Sequence, residues 1–239
     1  MPRASHDDLH AAVASARAAA GTWARADAYL RGQRLYRVAE LLDAQADRFT
    51  ARGVSDVEVT AAVNRWVWYA GWADKLAQVC GGVNPVAGPF FCASFPEPIS
   101  VVGVVAPADS ALLGVVSVVA PVIVGGNVAV VVAPHDHAQV AIAVADVLAA
   151  ADLAPGVVNV LTGETVELAA QLATCSDVDG LDLTCVTDRN LAATLAEAAA
   201  DASSVVRPPE GRIDWTDEPG LTRMTAFLVT KTVWHPKGF

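Results

Sequence analysis

Residues 99–134 read ISVVGVVAPADSALLGVVSVVAPVIVGGNVAVVVAP, and Asp109 is the single charge in the run. The corner Pro107-Ala108-Asp109-Ser110 and the turn Gly125-Gly126-Asn127 divide it into three apolar blocks. Short Val-rich blocks bounded by Pro and Gly read as strands buried on both faces, and the longer middle block reads as a helix. The stretch is therefore strand, helix, strand. The alternation continues with a helix over 138–151, a strand over 156–161, a helix over 166–174, a strand over 180–184 and a last helix over 191–202. Repeated βαβ units of this length predict an α/β fold with a doubly wound parallel sheet and right-handed crossovers.

Outward from this core, residues 1–80 read as a helical part. Helices are expected over 6–20, 25–49 and 56–78, with Gly53 and Ser55 marking a stop and a start. Trp66, Trp68, Tyr69 and Trp72 crowd the third, a pattern that suits packing better than a ligand cage. Residues 81–98, rich in Gly, Pro and aromatics, suit a hairpin with an edge strand. The sheet domain spans 99–206, residues 207–224 form a Pro-rich linker, and 225–239 hold a C-terminal strand alternating over 225–235 before Pro236.

Composition narrows the function classes. A net charge of −10, with no dense run of Lys or Arg, disfavours nucleic acid and anionic membranes as partners. The uncharged span 111–134 is long enough for a bilayer, but Pro121 and the Gly125-Gly126-Asn127 break point to a helix followed by a buried strand. Residues 1–8 are polar and an Ala-rich helical stretch follows, so no leader is expected and the cytoplasm is the expected compartment. Cys80, Cys92, Cys175 and Cys185 show no CxxC pair and read as reduced small hydrophobes. Cys185, near an expected helix start, is the candidate for a reactive thiol.

Several motifs resemble the aldehyde dehydrogenase superfamily. Tyr69-Ala70-Gly71-Trp72-Ala73-Asp74-Lys75 is similar to a helix signature of that family, and Pro96-Glu97-Pro98 with Val101-Val102-Gly103-Val104-Val105-Ala106-Pro107 to the start of its coenzyme domain. Pro121, Gly126-Asn127, Gly156-Val157-Val158-Asn159-Val160, Asp177-Val178-Asp179 and Lys231-Thr232-Val233 follow in the family's order. The resemblance implies a Rossmann-like coenzyme domain, with the 81–98 hairpin and the C-terminal strand as an oligomerisation sheet. It also implies that the 207–224 linker stands where the family has a catalytic domain bearing the nucleophilic cysteine and the general-base glutamate. More narrowly, the chain resembles short companions of full-length aldehyde dehydrogenases that lack the catalytic cysteine.

The same resemblance implies coenzyme-facing positions at Val105, Pro107, Asp109, Val132, His135, Asp136, Gly163 and Thr184, degenerate as a set. Asp109 stands where the family has an oxyanion-binding asparagine; an ionised carboxylate does not donate and would oppose an oxyanion, so a helix N-cap is the simpler expectation. The ribose-binding lysine falls on Val132, or on Ala133 if Pro134 is the anchor, and His135 or Asp136 takes the place of the glutamate. His135-Asp136-His137 lacks a third ligand and reads as a solvated loop rather than a metal site. Gly163 keeps its expected place, whereas Cys185 after Thr184 puts a side chain where a phosphate-approaching glycine is expected.

These readings predict no catalytic residue and no tightly bound cofactor, with NAD at most weakly held. The partner expected is a full-length aldehyde dehydrogenase docked by strand addition. Two alternatives stand beside it: an NAD-binding aldehyde oxidoreductase or nucleotide sensor with a reshaped cleft, and a relic scaffold that associates with itself.

Overall fold

The computed structural model describes residues 3–202 and 204–238. Ser5 opens α1 (His6–Ala24) with a reciprocal cap, its hydroxyl accepting the Asp8 N–H while Asp8 accepts the Ser5 N–H. Leu9, Val13, Ala16, Ala20 and Trp23 recur at helical spacing and form the buried stripe of α1. Asp27 caps α2 (Ala28–Ala44), and α3 (Ala46–Thr50) follows at once. The helix expected over 25–49 is thus two helices: Asp27 takes the N–H groups of Tyr29 and Leu30 and fixes the start at Ala28, and Gln45, at φ −109° and ψ 19°, breaks the run between α2 and α3.

Ser55 caps α4 (Asp56–Ala70), and α5 (Leu76–Cys80) is a separate short turn. The helix expected over 56–78 stops at Gly71, where a Cβ would stand 3.2 Å from the Tyr36 hydroxyl. Trp66 and Tyr69 are wholly buried, and Trp68 meets both Tyr69 and Trp72 edge-on or tilted, with ring centroids 5.0 and 5.6 Å apart.

The remaining elements run in order: β1 (Gly82–Asn84), β2 (Phe90–Pro98), β3 (Val101–Val105), α6 (Leu113–Val124), β4 (Val128–Pro134), α7 (Ala138–Ala150), β5 (Val158–Gly163), α8 (Thr165–Thr174), β6 (Gly180–Asp182), α9 (Arg189–Asp201), β7 (Val205–Arg207), α10 (Leu221–Thr225) and β8 (Leu228–Pro236). A five-stranded sheet, ordered β5-β4-β3-β6-β7, is parallel throughout. The residues of β3 and all of β4 but Pro134 are buried, as are all of α6, which explains a run of 36 residues with one charge. Each Val moved from water into this core contributes on the order of 1.5–3 kcal/mol.

Two expectations about the tail are corrected. The segment from Arg207 is not a free linker: Arg207 ends a fifth parallel strand, and Trp215 and Met224 are buried. The three residues of β7 are too few to display a period. The last strand begins at Leu228 rather than at 225, since Thr225 closes α10 and Phe227 is buried. The antiparallel sheet is ordered β1-β2-β8, so β8 is an outer strand.

Asn127 joins the two sheets. Its Oδ1 accepts the N–H of Ser100 at 2.9 Å, and its Nδ2 donates to the Phe227 carbonyl at 2.9 Å. Ser100 has a φ of 121°, a conformation an L side chain rarely adopts, and this hydrogen bond holds it.

Candidate functional site

In an open parallel sheet, ligands favour the crevice at the carboxyl ends of the strands where strand order reverses. Here the reversal falls between β3 and β6, because the chain passes from β3 to β4 and β5 on one side and then returns to β6 and β7 on the other. The segments after β3 and β6 hold Asp109 and Thr184, so two predicted positions do reach this crevice.

A strap, residues 208–220, crosses it. The Leu183 N–H donates to the Arg207 carbonyl at 3.0 Å and the Glu210 N–H to the Thr184 carbonyl at 3.2 Å, which leads the strap past the end of β6. The Trp215 indole N–H then donates to Asp109 Oδ1 at 2.9 Å, bringing the strap to the end of β3. Arg65, projecting from α4, clamps it from below. One guanidinium nitrogen donates to the carbonyls of Trp215 and Asp217, each at 2.8 Å, and the other to Ser117 Oγ in α6 at 2.8 Å. Arg223 lies over the Trp215 ring, 5.6 Å from its centroid.

Asp109 is therefore an exposed acceptor for the strap, and the helix-cap expectation is wrong. Glu58 of α4 does that work: its Oε1 accepts the N–H groups of Leu112 and Leu113 and the Ser110 hydroxyl, each at 3.0 Å. Ser110 Oγ in turn accepts the Gly114 N–H at 2.8 Å. A carboxylate from another helix thus satisfies the start of α6, which has no side-chain cap at Leu112.

The other predicted positions are dispersed along the carboxyl edge. Val105 and Val132 face each other in register between β3 and β4, both buried, and Pro107 is also buried. His135 and Asp136 border a separate cavity of about 300 Å³ with Arg52 and Glu58, and His137 Nε2 pairs with the Ala108 carbonyl at 2.9 Å. Gly163 is covered by Ala4, whose backbone nitrogen would stand 3.4 Å from a Cβ at that position. Ala4 donates its N–H to the Thr162 carbonyl at 2.8 Å, and Arg3 pairs with Glu164 at 2.8 Å. A second cavity, about 610 Å³, lies between α4 and the strap, lined by Val57, Ala61, Asp109, Leu113, Ile213 and Trp215.

Burial governs the titrating groups here. It pushes the Asp182 carboxyl up, against the opposing effects of Thr184, whose N–H and hydroxyl both reach Oδ1, and of Arg207 and Arg223. It raises the Cys185 thiol strongly, with Asp182 adding to the effect, so Cys185 stays protonated. Nor does Cys185 lie at a helix start, because α9 begins at Arg189 with Asp188 as its cap. Burial also raises Tyr69 to about 12 and lowers Arg65. All four cysteines are free, and no group of three or more His, Cys, Asp or Glu could hold a metal among the described residues. No helix among them is long and apolar enough to cross a membrane.

Sequence reasoning missed Glu58, Arg65, Glu210, Trp215 and Arg223. One signal was readable: Arg65 sits beside Trp66 and in step with Val59, Ala62 and Tyr69, the buried face of α4. A charge on such a face calls for buried partners.

A family model described as "Aldehyde dehydrogenase family" matches residues 1–205, so the strap and β8 lie beyond the match. The mitochondrial aldehyde dehydrogenase of Rattus norvegicus is 31% identical over 214 residues, which are 84% of this chain and 40% of that protein. The mitochondrial enzyme of Homo sapiens is 30% identical over the same shares of the two chains. Among solved structures, the NAD-dependent aldehyde dehydrogenase from Sinorhizobium meliloti superposes with a TM-score of 0.79 at 27% identity, over 86% of this chain and 42% of that one. The HpcC protein from Thermus thermophilus gives 0.79 at 26% identity, over 86% and 41%. The chain thus spans about 40% of the length of the relatives it matches.

Proposed function

The chain belongs to the aldehyde dehydrogenase family, and we propose that it serves as a non-catalytic cytoplasmic subunit that docks onto a full-length NAD-dependent aldehyde dehydrogenase. The observation that carries this reading is the outer strand β8. The Ile99 N–H to Phe227 carbonyl bond and the Lys237 N–H to Pro89 carbonyl bond bracket the β2–β8 ladder. By the alternation of antiparallel pairs, the odd-numbered residues of β8 exchange bonds with β2, while Thr230, Thr232 and Trp234 turn their N–H groups to the free edge.

This edge has apolar surroundings. Trp234 is 58% exposed, and Val229, Val233, Phe91 and Phe95 are each close to half exposed. An open edge with apolar flanks is a template for another strand, and leaving it bare invites aggregation. The crevice, by contrast, is occupied by the chain's own strap, and Asp109, Val132 and Cys185 each disfavour a dinucleotide or an oxyanion. Tight NAD binding is not expected. The free cysteines accord with a reducing compartment.

The test is affinity purification of the tagged chain from its host at native level, with native mass spectrometry of what co-elutes. A full-length aldehyde dehydrogenase at fixed stoichiometry is expected. Thr230→Pro should abolish its recovery, since proline removes an edge donor without touching the bonds to β2. Recovery of the chain alone, or undiminished recovery with Thr230→Pro, would count against strand addition.

A further inference from the structure

The strap carries a carboxylate held by two fixed cations. Glu210 receives Arg207 at Oε1 and Arg223 at Oε2, the latter at 2.8 Å. Side-chain exposure is 9% for Arg207 and 14% for Arg223, against 43% for Glu210, so the arginines form the floor and the carboxylate is laid onto it. They come from separate elements, Arg207 from the end of β7 and Arg223 from α10.

Two desolvated guanidinium groups here face Glu210 and the buried Asp182, whose carboxyl is pushed toward its neutral form by burial, so Glu210 carries most of the charge that answers them. The shortfall is visible. Nη1 of Arg223 is buried and has no partner among the described residues, and neither does the hydroxyl of Tyr69, which lies within the electrostatic reach of Arg65, Arg207 and Arg223. Asp182, in register with Arg207, has its Oδ1 engaged by the amide and hydroxyl of Thr184. Two guanidinium forks, one with an unpartnered buried nitrogen, match the several oxygens of a phosphate better than the two of a carboxylate.

We propose that Arg207 and Arg223 form an anion site at the carboxyl edge of the sheet, that Glu210 fills it from within the chain, and that a phosphate-bearing ligand competes with the strap for it. The strap is then a self-ligand whose release accompanies binding. This inference stands apart from subunit docking, which Thr230→Pro reads on the opposite sheet.

The test uses the full chain and inorganic pyrophosphate, followed by thermal unfolding and calorimetric titration. Glu210→Gln should acquire a saturable rise in unfolding midpoint and bind pyrophosphate at least tenfold more tightly than the unsubstituted chain. Adding Arg223→Gln should remove that gain. In the unsubstituted chain, millimolar pyrophosphate should speed amide exchange of residues 208–220 relative to sodium chloride of equal ionic strength. If NAD binds Glu210→Gln more tightly than pyrophosphate does, the ligand is nucleotide-borne; the reverse order assigns free pyrophosphate, and both uphold the site. Equal binding with and without Glu210, or a gain that survives Arg223→Gln, would overturn it.

Discussion

Replacing Glu58 with Ala should destabilise the protein by about 2–3 kcal/mol, more than any single change at Asp109. The magnitude follows from what Oε1 holds: the N–H groups of Leu112 and Leu113 and the Ser110 hydroxyl, each at 3.0 Å. Loss of a side-chain cap costs about 0.5–2 kcal/mol. A carboxylate at a helix start adds roughly 0.3–1 kcal/mol through the macrodipole. The Ser110 bond contributes about 1 kcal/mol more, and water entering this part-buried site offsets some of the total. For a chain of this size the loss corresponds to about 5–10 °C in the unfolding midpoint.

Glu58→Gln keeps the acceptor and loses the charge, so it should cost about 1 kcal/mol or less. Asp109→Ala removes only the acceptor of the Trp215 indole at an exposed site and should also cost about 1 kcal/mol or less. Urea unfolding followed by circular dichroism ranks the three, and amide exchange at Leu112 and Leu113 reports the cap directly. The reasoning fails if Asp109→Ala costs as much as Glu58→Ala, or if the Gln and Ala variants at position 58 are equally unstable.

Asn127→Ala should cost about 2–4 kcal/mol, as two buried hydrogen bonds are lost and Ser100 keeps its strained φ without support; chemical unfolding measures it. Because the folded-state pKa of Asp182 lies above its ordinary value of 3.8, ionisation opposes folding as pH rises past that value. Asp182→Asn should therefore gain stability relative to the unsubstituted chain on going from pH 4 to pH 7, and a pH-independent difference would contradict the burial argument. Cys185, its thiol raised by burial, should resist iodoacetamide at pH 8 in the native state and react once urea unfolds the chain, as read by peptide mass spectrometry.

The sheet was legible because its signal is local. The Val blocks at 101–105 and 128–133 and the breaks at Pro107 and Gly125 specify strand, helix and strand without reference to the rest of the chain. The site was less legible because its contacts are long-range. Glu58 caps a helix 54 residues away, and Arg65 reaches a carbonyl 150 residues away. The corner at Asp109 satisfied the local rule for a cap, and only the packing of α4 against α6 gave that role to another residue. Trp215 likewise lay in a charged, Pro-rich stretch whose local composition favours solvent, yet it is 9% exposed because Asp109, Arg65 and Arg223 gather around it.

The pairing of β2 with β8 imposes an order on folding. Ser94 meets Thr232 across 138 residues, while β3, β4 and β5 follow one another through single helices. Contacts of long sequence separation form late, and a chain leaving the ribosome presents its N-terminal elements first. Every strand of the parallel sheet precedes β8 in the chain, so Phe91 and Phe95 of β2 wait without their neighbour until β8 follows. Refolding should show a fast phase for the parallel sheet and a slower one for closure of β8. The interval between them is when this chain is most exposed to aggregation, and a partner strand arriving then would meet β2 before β8 does.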